Sequence, residues 1–359
     1  MYDVTVVGAG PVGSRAAELI ARQGFKVALL EKNTEIGLPV RCTGLVSSRL
    51  KDILPDLPSN VILNRIDSAR FFATSKNFEL RSKRPFYVVD REKLDKFLFL
   101  RARQAGAAAD TGMLFKDFEL SSNEDEEFLT LHTGKGKIQT RLLVGADGPV
   151  STVAAKAGLE RPANMLTGLQ MTVPGEYEAS TSELIFSEEL TPDFFGWVVP
   201  LSESQARVGV AARQNALTGL RTLVEKRTGG LMKASDVKPD VAGKINFGLM
   251  ERTSAERVMV VGDAACQVKP FSGGGIVYGL LGAGYAANAA VKALKAGDFS
   301  ADFLKEEYDD RWKEHLAGPI KRGMLYRRIL LGSDRRMNML FRLGGAGKSV
   351  LEGFDADLL

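Results

Sequence analysis

The chain has 359 residues, 45% hydrophobic and 26% charged, with 37 glycines, 13 prolines and two cysteines. This composition excludes collagen-like, disordered and disulfide-scaffold classes, and the length suits about two domains. A net charge of +4 is too diffuse to argue for a nucleic-acid partner. Two cysteines cannot staple a chain of this size, so a reducing, cytoplasmic setting is expected, with no signal peptide ahead of the opening strand.

Residues 2–7 (YDVTVV) read as a buried strand, followed by Gly8-x-Gly10-x-x-Gly13 and a helix from Ser14 to Gln23 that Gly24 stops. Lys26–Leu30 reads as a second buried strand closed by Glu31, which completes a βαβ unit. Glycines at this spacing allow a tight turn and let the backbone approach a pyrophosphate seated on the helix N-terminus. Glu31 suits ribose hydroxyls and repels a 2′-phosphate, so FAD and NAD both fit the pattern better than NADP. Residues 34–48 look loop-like, 66–89 hold short strands, and a helix is expected over Arg91–Gln104. Three strands follow (MLFKDFEL, EFLTLHT, KIQTRLLVGAD), the first two separated by a polar turn at Asn123–Glu127. Strands are expected again over 167–210 and at 257–262.

Pro270–Val291 carries no charge and is long enough to span a bilayer, but its many glycines and few large aliphatics favour a buried helix. Gly262-Asp263 and Gly273-Gly274-Gly275-Ile276 stand at its entrance. An acid at a strand end suits the hydroxyls of a ribityl chain. A glycine-rich helix start offers N–H groups to the flavin edge that becomes negative on reduction. This second block points to FAD. After Phe299 the period is helical, and residues 311–348 interleave Arg322, Arg328, Arg336 and Lys348 with Leu325, Ile329 and Met339. That pattern suits either a helix docked on the core with a solvated basic face or a basic amphipathic helix lying on an anionic membrane.

Gly8–Gly13, Glu31, Gly145-Ala146-Asp147-Gly148-Pro149-x-Ser151 and Gly262-Asp263 together resemble FAD-dependent proteins of the p-hydroxybenzoate hydroxylase fold, from residue 1 to about 295. Three further features are similar to the geranylgeranyl reductase family. They are Pro39-Val-Arg-Cys42-Thr-Gly44, Pro192-x-x-Phe195-x-Trp197-x-Val-Pro200 and the run from Pro270 to Ile276. Phe195 stands where that family commonly has Tyr, and Val199 where it has Phe.

The resemblance implies an α/β chain with three parts. A Rossmann-like FAD-binding domain (1–62, 88–160 and 252–298) carries an inserted antiparallel β-sheet substrate domain (63–87 and 161–251), and a helical C-terminal tail covers 299–359. It implies FAD contacts at Val12, Gly13, Glu31, Cys42, Thr43, Arg91, Asp263, Gly275 and Ile276, beside the loop glycines Gly8 and Gly10. Arg91 is expected either at the flavin pyrophosphate or in a surface ion pair with Glu92 or Asp95, and Asp147 shapes the binding loop. Cys42 is either catalytic or a small buried residue, while Cys266 is structural. Phe195 and Trp197, on one strand face at period two, and Pro200 are either a substrate wall or ordinary sheet core. His132 and His315 are isolated, so no metal site is expected.

The reaction implied is reduction of carbon–carbon double bonds in a prenyl (geranylgeranyl-type) lipid by hydride from reduced flavin N5. The electrons would come from NAD(P)H or a ferredoxin-type protein, and a lipid substrate goes with peripheral membrane contact through the tail. A flavin monooxygenase of the same fold and a non-catalytic flavin electron carrier are the alternatives.

Overall fold

In the computed structural model, which describes residues 1–73, 76–331 and 333–342, the chain shuttles between two sheets. It begins with β1 (Tyr2–Val7), α1 (Pro11–Ala21) and β2 (Val27–Leu30), the two strands running parallel with Val4 opposite Val27. Both are near-continuous apolar runs because both faces of the parallel sheet are covered. The helix starts at Pro11 rather than Ser14, since proline at the first helical position gives up an N–H that has no intrahelical partner anyway. The segment expected as loop over 34–48 ends in β3 (Leu45–Ser47), an edge strand of the second sheet, followed by α2 (Arg49–Ile53).

The chain continues through β4 (Ile62–Ala73), β5 (Lys76–Val89) and α3 (Arg91–Gln104), whose N-cap Asp90 accepts from the Lys93 amide. It returns to the first sheet with β6 (Ala108–Asp110), β7 (Phe115–Ser122), β8 (Glu127–Thr133), β9 (Gly136–Gly145) and α4 (Thr152–Lys156). The polar turn between β7 and β8 is fixed by the Asn123 side chain, which accepts from the amides of Asp125 and Glu126. A second excursion supplies β10 (Met165–Pro174), β11 (Thr181–Ile185), β12 (Gly196–Pro200), β13 (Gln205–Ala212), α5 (Ala216–Arg227) and β14 (Val241–Asn246). Finally β15 (Ser254–Ala255) and β16 (Val258–Val260) rejoin the first sheet, and α6 (Ile276–Ala296), α7 (Ala301–Leu304), α8 (Arg311–Leu330) and α9 (Asp334–Arg342) follow.

Among the described residues each sheet has eight strands. The first has the order β15-β16-β9-β1-β2-β6, parallel from β16 to β6, with the β7–β8 hairpin hung on β9. The second has the order β14-β10-β13-β12-β11-β4-β5-β3. It is antiparallel except where β11 runs parallel to β4, with Thr181 opposite Ser68. Those two strands come from separate excursions, so no hairpin dictates their relative direction. In the β4–β5 pair Ile66 faces Phe86 and Ser68 faces Arg81, so Ser82–Pro85 bulge out opposite Asp67.

The main core lies where β1, β2 and β9 meet α1, α6 and α8, and it buries Ile20, Tyr308, Trp312 and Ile320 completely. The uncharged helix expected near 270–291 is α6, and close packing explains its glycines. A Cβ on Gly279 would stand 2.5 Å from Val12 Cγ2, and one on Gly282 would stand 2.0 Å from Gln267 Oε1. No helix among the described residues is long and apolar enough to cross a membrane. The expected helical tail is present as far as residue 342; Lys348 and the rest of 343–359 lie outside the described residues.

The tail is tied to the first sheet by polar contacts. Trp312 Nε1 donates to Thr253 Oγ1 at 2.8 Å, and the Tyr308 hydroxyl donates to the Val260 carbonyl at 2.6 Å. Gln267 donates to the Tyr308 hydroxyl and accepts from the Gly262 amide.

Candidate active site

The buried strand β1 delivers its chain end to Gly8, which adopts φ +100° and donates its amide to the Leu30 carbonyl at 2.7 Å. The three loop glycines do three different jobs. A Cβ on Gly8 would come within 2.4 Å of the Ala146 carbonyl oxygen, and one on Gly13 within 1.9 Å of the Gly8 carbonyl oxygen. A Cβ on Gly10 would meet nothing within 4 Å, and Gly10 lines a cavity of about 1340 Å³ between the two sheets. Gly13 is therefore a packing residue outside the cavity wall, while Gly10 leaves open room for a ligand against bare backbone. Helix α1 has no side-chain cap at its N-terminus, the arrangement that receives a phosphate. Glu31 lines the cavity and braces the loop, its carboxylate accepting from the amides of Ala9 and Asn33, each at 3.0 Å. A carboxylate has roughly four acceptor sites, so ribose hydroxyls can still be accommodated.

Beside Val12, Gly262 turns at φ +68°, and Asp263, Gly275 and Ile276 line the wall at the start of α6. Gly275 is required because a Cβ there would stand 2.4 Å from Asp263 Oδ1. Burial pushes the Asp263 carboxyl up to about 6, with the Arg91 charge opposing that rise. The folded, ligand-free chain thus binds this proton more tightly than the unfolded one, and stability falls as pH rises from about 4 to about 6, by roughly 3 kcal/mol at most. Asp263→Asn should raise the stability of the apoprotein at pH 7 by about 1–3 kcal/mol and leave it unchanged at pH 4. Urea unfolding at the two pH values checks this; an equal gain at both would show that the effect is not the carboxyl's charge.

Arg91, the first residue of α3, reaches the same cavity and forms an ion pair with Asp95 at 3.0 Å. The sequence left open a pyrophosphate contact or an ion pair; the ion pair exists, but it lies on the cavity wall. Burial works against the Arg91 charge, and Asp95 together with the Cys42 sulfur outweighs it, so the guanidinium is held more firmly protonated than usual. Burial likewise raises Asp95, against the pull of Arg91. Cys42 is half-buried on the wall, with Sγ accepting from the Gly44 amide at 3.3 Å and near enough to Arg91 to favour its charge.

The loop carrying Cys42 is clamped from the second sheet. Thr43 Oγ1 donates to Gln170 Oε1 at 2.7 Å, and the Arg207 guanidinium donates to the carbonyls of Thr43 and Val89. Gln170 also accepts from Trp197 Nε1 at 3.4 Å, so a single buried amide holds both the Cys42 loop and the aromatic wall. Sequence reasoning missed Gln170 and Arg207, and named Asp95 only as a surface partner of Arg91. The available signal for the first two was a long polar side chain inside an otherwise apolar strand.

The wall on the second sheet is apolar. Phe71, Leu80, Leu184, Phe194, Phe195, Trp197, Val199 and Ile245 line it. Phe194 and Phe195 stack with centroids 4.1 Å apart, and Phe194 meets Trp197 edge-on at 6.4 Å. Phe195, Trp197 and Val199 reach the cavity at period two, whereas Pro200 points to the other side and its carbonyl accepts from Asn64. Gly209 makes room for the indole, since a Cβ there would stand 2.4 Å from the Trp197 ring. Asp147 caps α4, accepting from Ser151 Oγ and the amides of Thr152 and Val153. Cys266 is buried away from the cavity wall, its thiol pushed by burial up to about 12. His132 and His315 are not cavity residues, and no cluster among the described residues could hold a metal.

A cavity of this size exceeds the roughly 300–1,000 Å³ of an ordinary small-molecule pocket, which suits a dinucleotide and a second ligand together. Residues 1–298 match the family described as FAD binding domain. Fold and site together define an FAD-dependent oxidoreductase. Digeranylgeranylglycerophospholipid reductase 2 of Methanothermobacter thermautotrophicus is 33% identical over 361 residues, covering 95% of this chain and 91% of its own. Digeranylgeranylglycerophospholipid reductase of Methanocaldococcus jannaschii is 33% identical over 345 residues, covering 92% and 87%. The crystal structure of a geranylgeranyl bacteriochlorophyll reductase-like protein from Thermoplasma acidophilum shares the fold with a TM-score of 0.87 at 24% identity, covering 99% of this chain and 94% of its own. The chain belongs to the geranylgeranyl reductase family of FAD-dependent oxidoreductases.

Proposed function

We propose that the protein saturates carbon–carbon double bonds of a prenyl lipid. The observation that carries this reading is that an apolar aromatic wall, the Cys42 thiol and the open Gly10 backbone all face one cavity. Gly8, Gly10, Val12, Glu31 and the Asp263–Ile276 segment would hold FAD, which would supply hydride once reduced by NAD(P)H or a ferredoxin-type protein. Phe194, Phe195 and Trp197 hold the alkene in a dry, fixed geometry, which matters because an isolated alkene is a poor hydride acceptor. Cys42 Sγ gives a proton to the alkene carbon that does not receive hydride, and the adjacent Arg91 guanidinium holds the thiolate left behind. Thr43, Gln170 and Arg207 keep that sulfur in place.

The test is anaerobic stopped-flow absorbance of the dithionite-reduced holoprotein, mixed separately with a geranylgeranyl lipid and with O2. Reoxidation by the lipid with a saturated product by mass spectrometry is expected. Fast reoxidation by O2 alone, with no saturated product, would replace this reading with a monooxygenase.

The tail docks on the core and keeps an exposed basic and apolar face. Trp312, Leu316 and Ile320 are buried, and Arg327 inserts over the Phe247 ring at 3.9 Å and donates to the Pro270 carbonyl. Leu325 and Ile329 remain 53% and 45% exposed beside the exposed Arg322 and Arg328, a surface suited to an anionic membrane. Leu325→Glu with Ile329→Glu should reduce flotation with anionic vesicles about tenfold, while FAD content and melting temperature stay unchanged. Undiminished flotation would end the membrane assignment.

A further inference from the structure

We propose that Arg327 is a positioning residue: it ties two walls of the cavity together from behind and so sets how far the aromatic wall stands from the glycine-rich segment at the start of α6. The proposal rests on the prenyl-lipid reading and deepens it by naming what fixes the gap that the alkene must occupy.

The sequence of α8 prepares one face for this task. Trp312, Leu316 and Ile320 recur at helical spacing and are buried in the main core. Gly323 and Arg327 continue that face, one turn apart. A Cβ on Gly323 would stand 2.9 Å from Pro270 Cδ, so the glycine lets the helix close on the residue that opens the Pro270–Ile276 segment. Arg327 extends past that contact. Its Nη1 donates to the Pro270 carbonyl at 3.2 Å, and its Nη2 donates to the carbonyl of Asp193, the residue before Phe194. One planar guanidinium thus bonds both segments, a geometry that a lysine cannot reproduce.

The two carbonyls stand directly behind cavity-lining residues. Phe194 and Phe195 follow Asp193, and Ser272 to Ile276 follow Pro270 after one further residue. The walls meet at this point. A Cβ on Gly273 would stand 3.4 Å from Phe194 Cζ, and the Phe195 and Phe271 rings lie 6.0 Å apart. Arg327 itself is not a cavity residue; its guanidinium lies over the Phe247 and Phe194 rings, 3.9 and 5.4 Å from their centroids. The Asp193 carboxylate is engaged by Arg213, whose amide donates at 3.1 Å and whose side chain pairs with it at 3.4 Å. Arg327 therefore grips this loop by its backbone. Burial lowers the guanidinium to about 10, which leaves it charged at neutral pH.

A rigid link between two carbonyls matters because packing alone holds the alkene. A misplacement of about 1 Å can cost on the order of 10²-fold in rate. Loss of the link should therefore slow the chemical step and spare lipid affinity, which the apolar wall supplies.

The FAD-loaded protein and its Arg327→Met and Arg327→Lys variants are reduced with dithionite and mixed anaerobically with a geranylgeranyl lipid. For Arg327→Met the single-turnover rate of flavin reoxidation should fall about 30–100-fold, while the lipid Kd changes by less than about threefold and FAD stays bound. Arg327→Lys, which reaches one carbonyl at a time, should fall about 3–10-fold, and it carries the test if the methionine variant does not fold. An unchanged rate in every variant that folds overturns the proposal. So does a loss carried wholly by lipid Kd or by release of FAD, which would assign Arg327 to general stability.

A second measurement does not depend on the lipid. Backbone hydrogen exchange of the holoprotein, read by mass spectrometry, should quicken at both Phe194–Trp197 and Gly273–Ile276 in the variants, while the β7–β8 hairpin keeps its protection. Faster exchange confined to α8, or to one of the two segments, overturns the link. If no geranylgeranyl lipid reoxidises the wild type, the prenyl-reductase reading fails and the exchange pattern alone decides the role of Arg327.

Discussion

Cys42→Ser is expected to retain FAD and to lose turnover by a factor of about 10²–10⁴, the usual worth of a positioned proton donor. The substitution changes little else. The loop is held by Gln170 and Arg207 through Thr43, not by the sulfur, so its path survives exchange of sulfur for oxygen. What changes is acidity, because giving up the proton would leave an alkoxide beside Arg91 in place of a thiolate. Single-turnover mixing of the reduced variant with lipid, with saturated product read by mass spectrometry, is the check. A purely structural cysteine would alter FAD retention or lipid affinity and spare the rate of the chemical step. Unchanged turnover would remove Cys42 from the mechanism and leave the proton to water.

The second large effect separates the loop glycines. Gly10→Ala should leave the apoprotein as stable as the parent, because its Cβ would enter open space and its φ is an ordinary −66°. FAD affinity should nevertheless fall about 10–100-fold if the pyrophosphate lies against that backbone. Gly13→Ala should differ in kind. Its Cβ would collide with the Gly8 carbonyl, so the loop must shift and the apoprotein itself should lose about 1–3 kcal/mol along with its FAD. Denaturant unfolding of the apoproteins and flavin titration of each variant distinguish the two. A Gly10→Ala protein with unimpaired FAD binding would place the pyrophosphate elsewhere.

What was legible in the sequence was whatever the backbone dictates locally. Gly8, Gly10 and Gly13 can be read because turn, ligand approach and helix packing each exclude a side chain at a fixed spacing. Asp263 and Gly275 can be read because a strand end and a helix start meet there. Arg91 was legible as a cavity residue only through the family resemblance, and its partner Asp95 lies one helical turn away on the same face. The clamp around Cys42 was beyond reach. Thr43 meets Gln170 across 127 residues and Arg207 across 164, and nothing local says which loop those polar strand residues will meet. Period two placed Phe195 and Trp197 together on the cavity face, and by the same alternation Pro200 falls on the opposite one. The β5 bulge was invisible for another reason: the extra residues are defined only by the register of β4 against β5.

The hydrogen-bonded link from Trp312 and Tyr308 back to Thr253, Val260 and, through Gln267, Gly262 bears on how the protein is made. The Gly8 loop is made before the strands around it, since β1 sits between β2 and β9, and the turn at Gly262 is braced through Gln267 by Tyr308, about three hundred residues after that loop. A nascent chain therefore exposes its Gly8–Gly13 loop long before the rest of the cavity wall exists. The complete cavity forms only once Tyr308 and Trp312 have been made, and until then the unpaired strands of the half-built sheet are open to pairing with other chains.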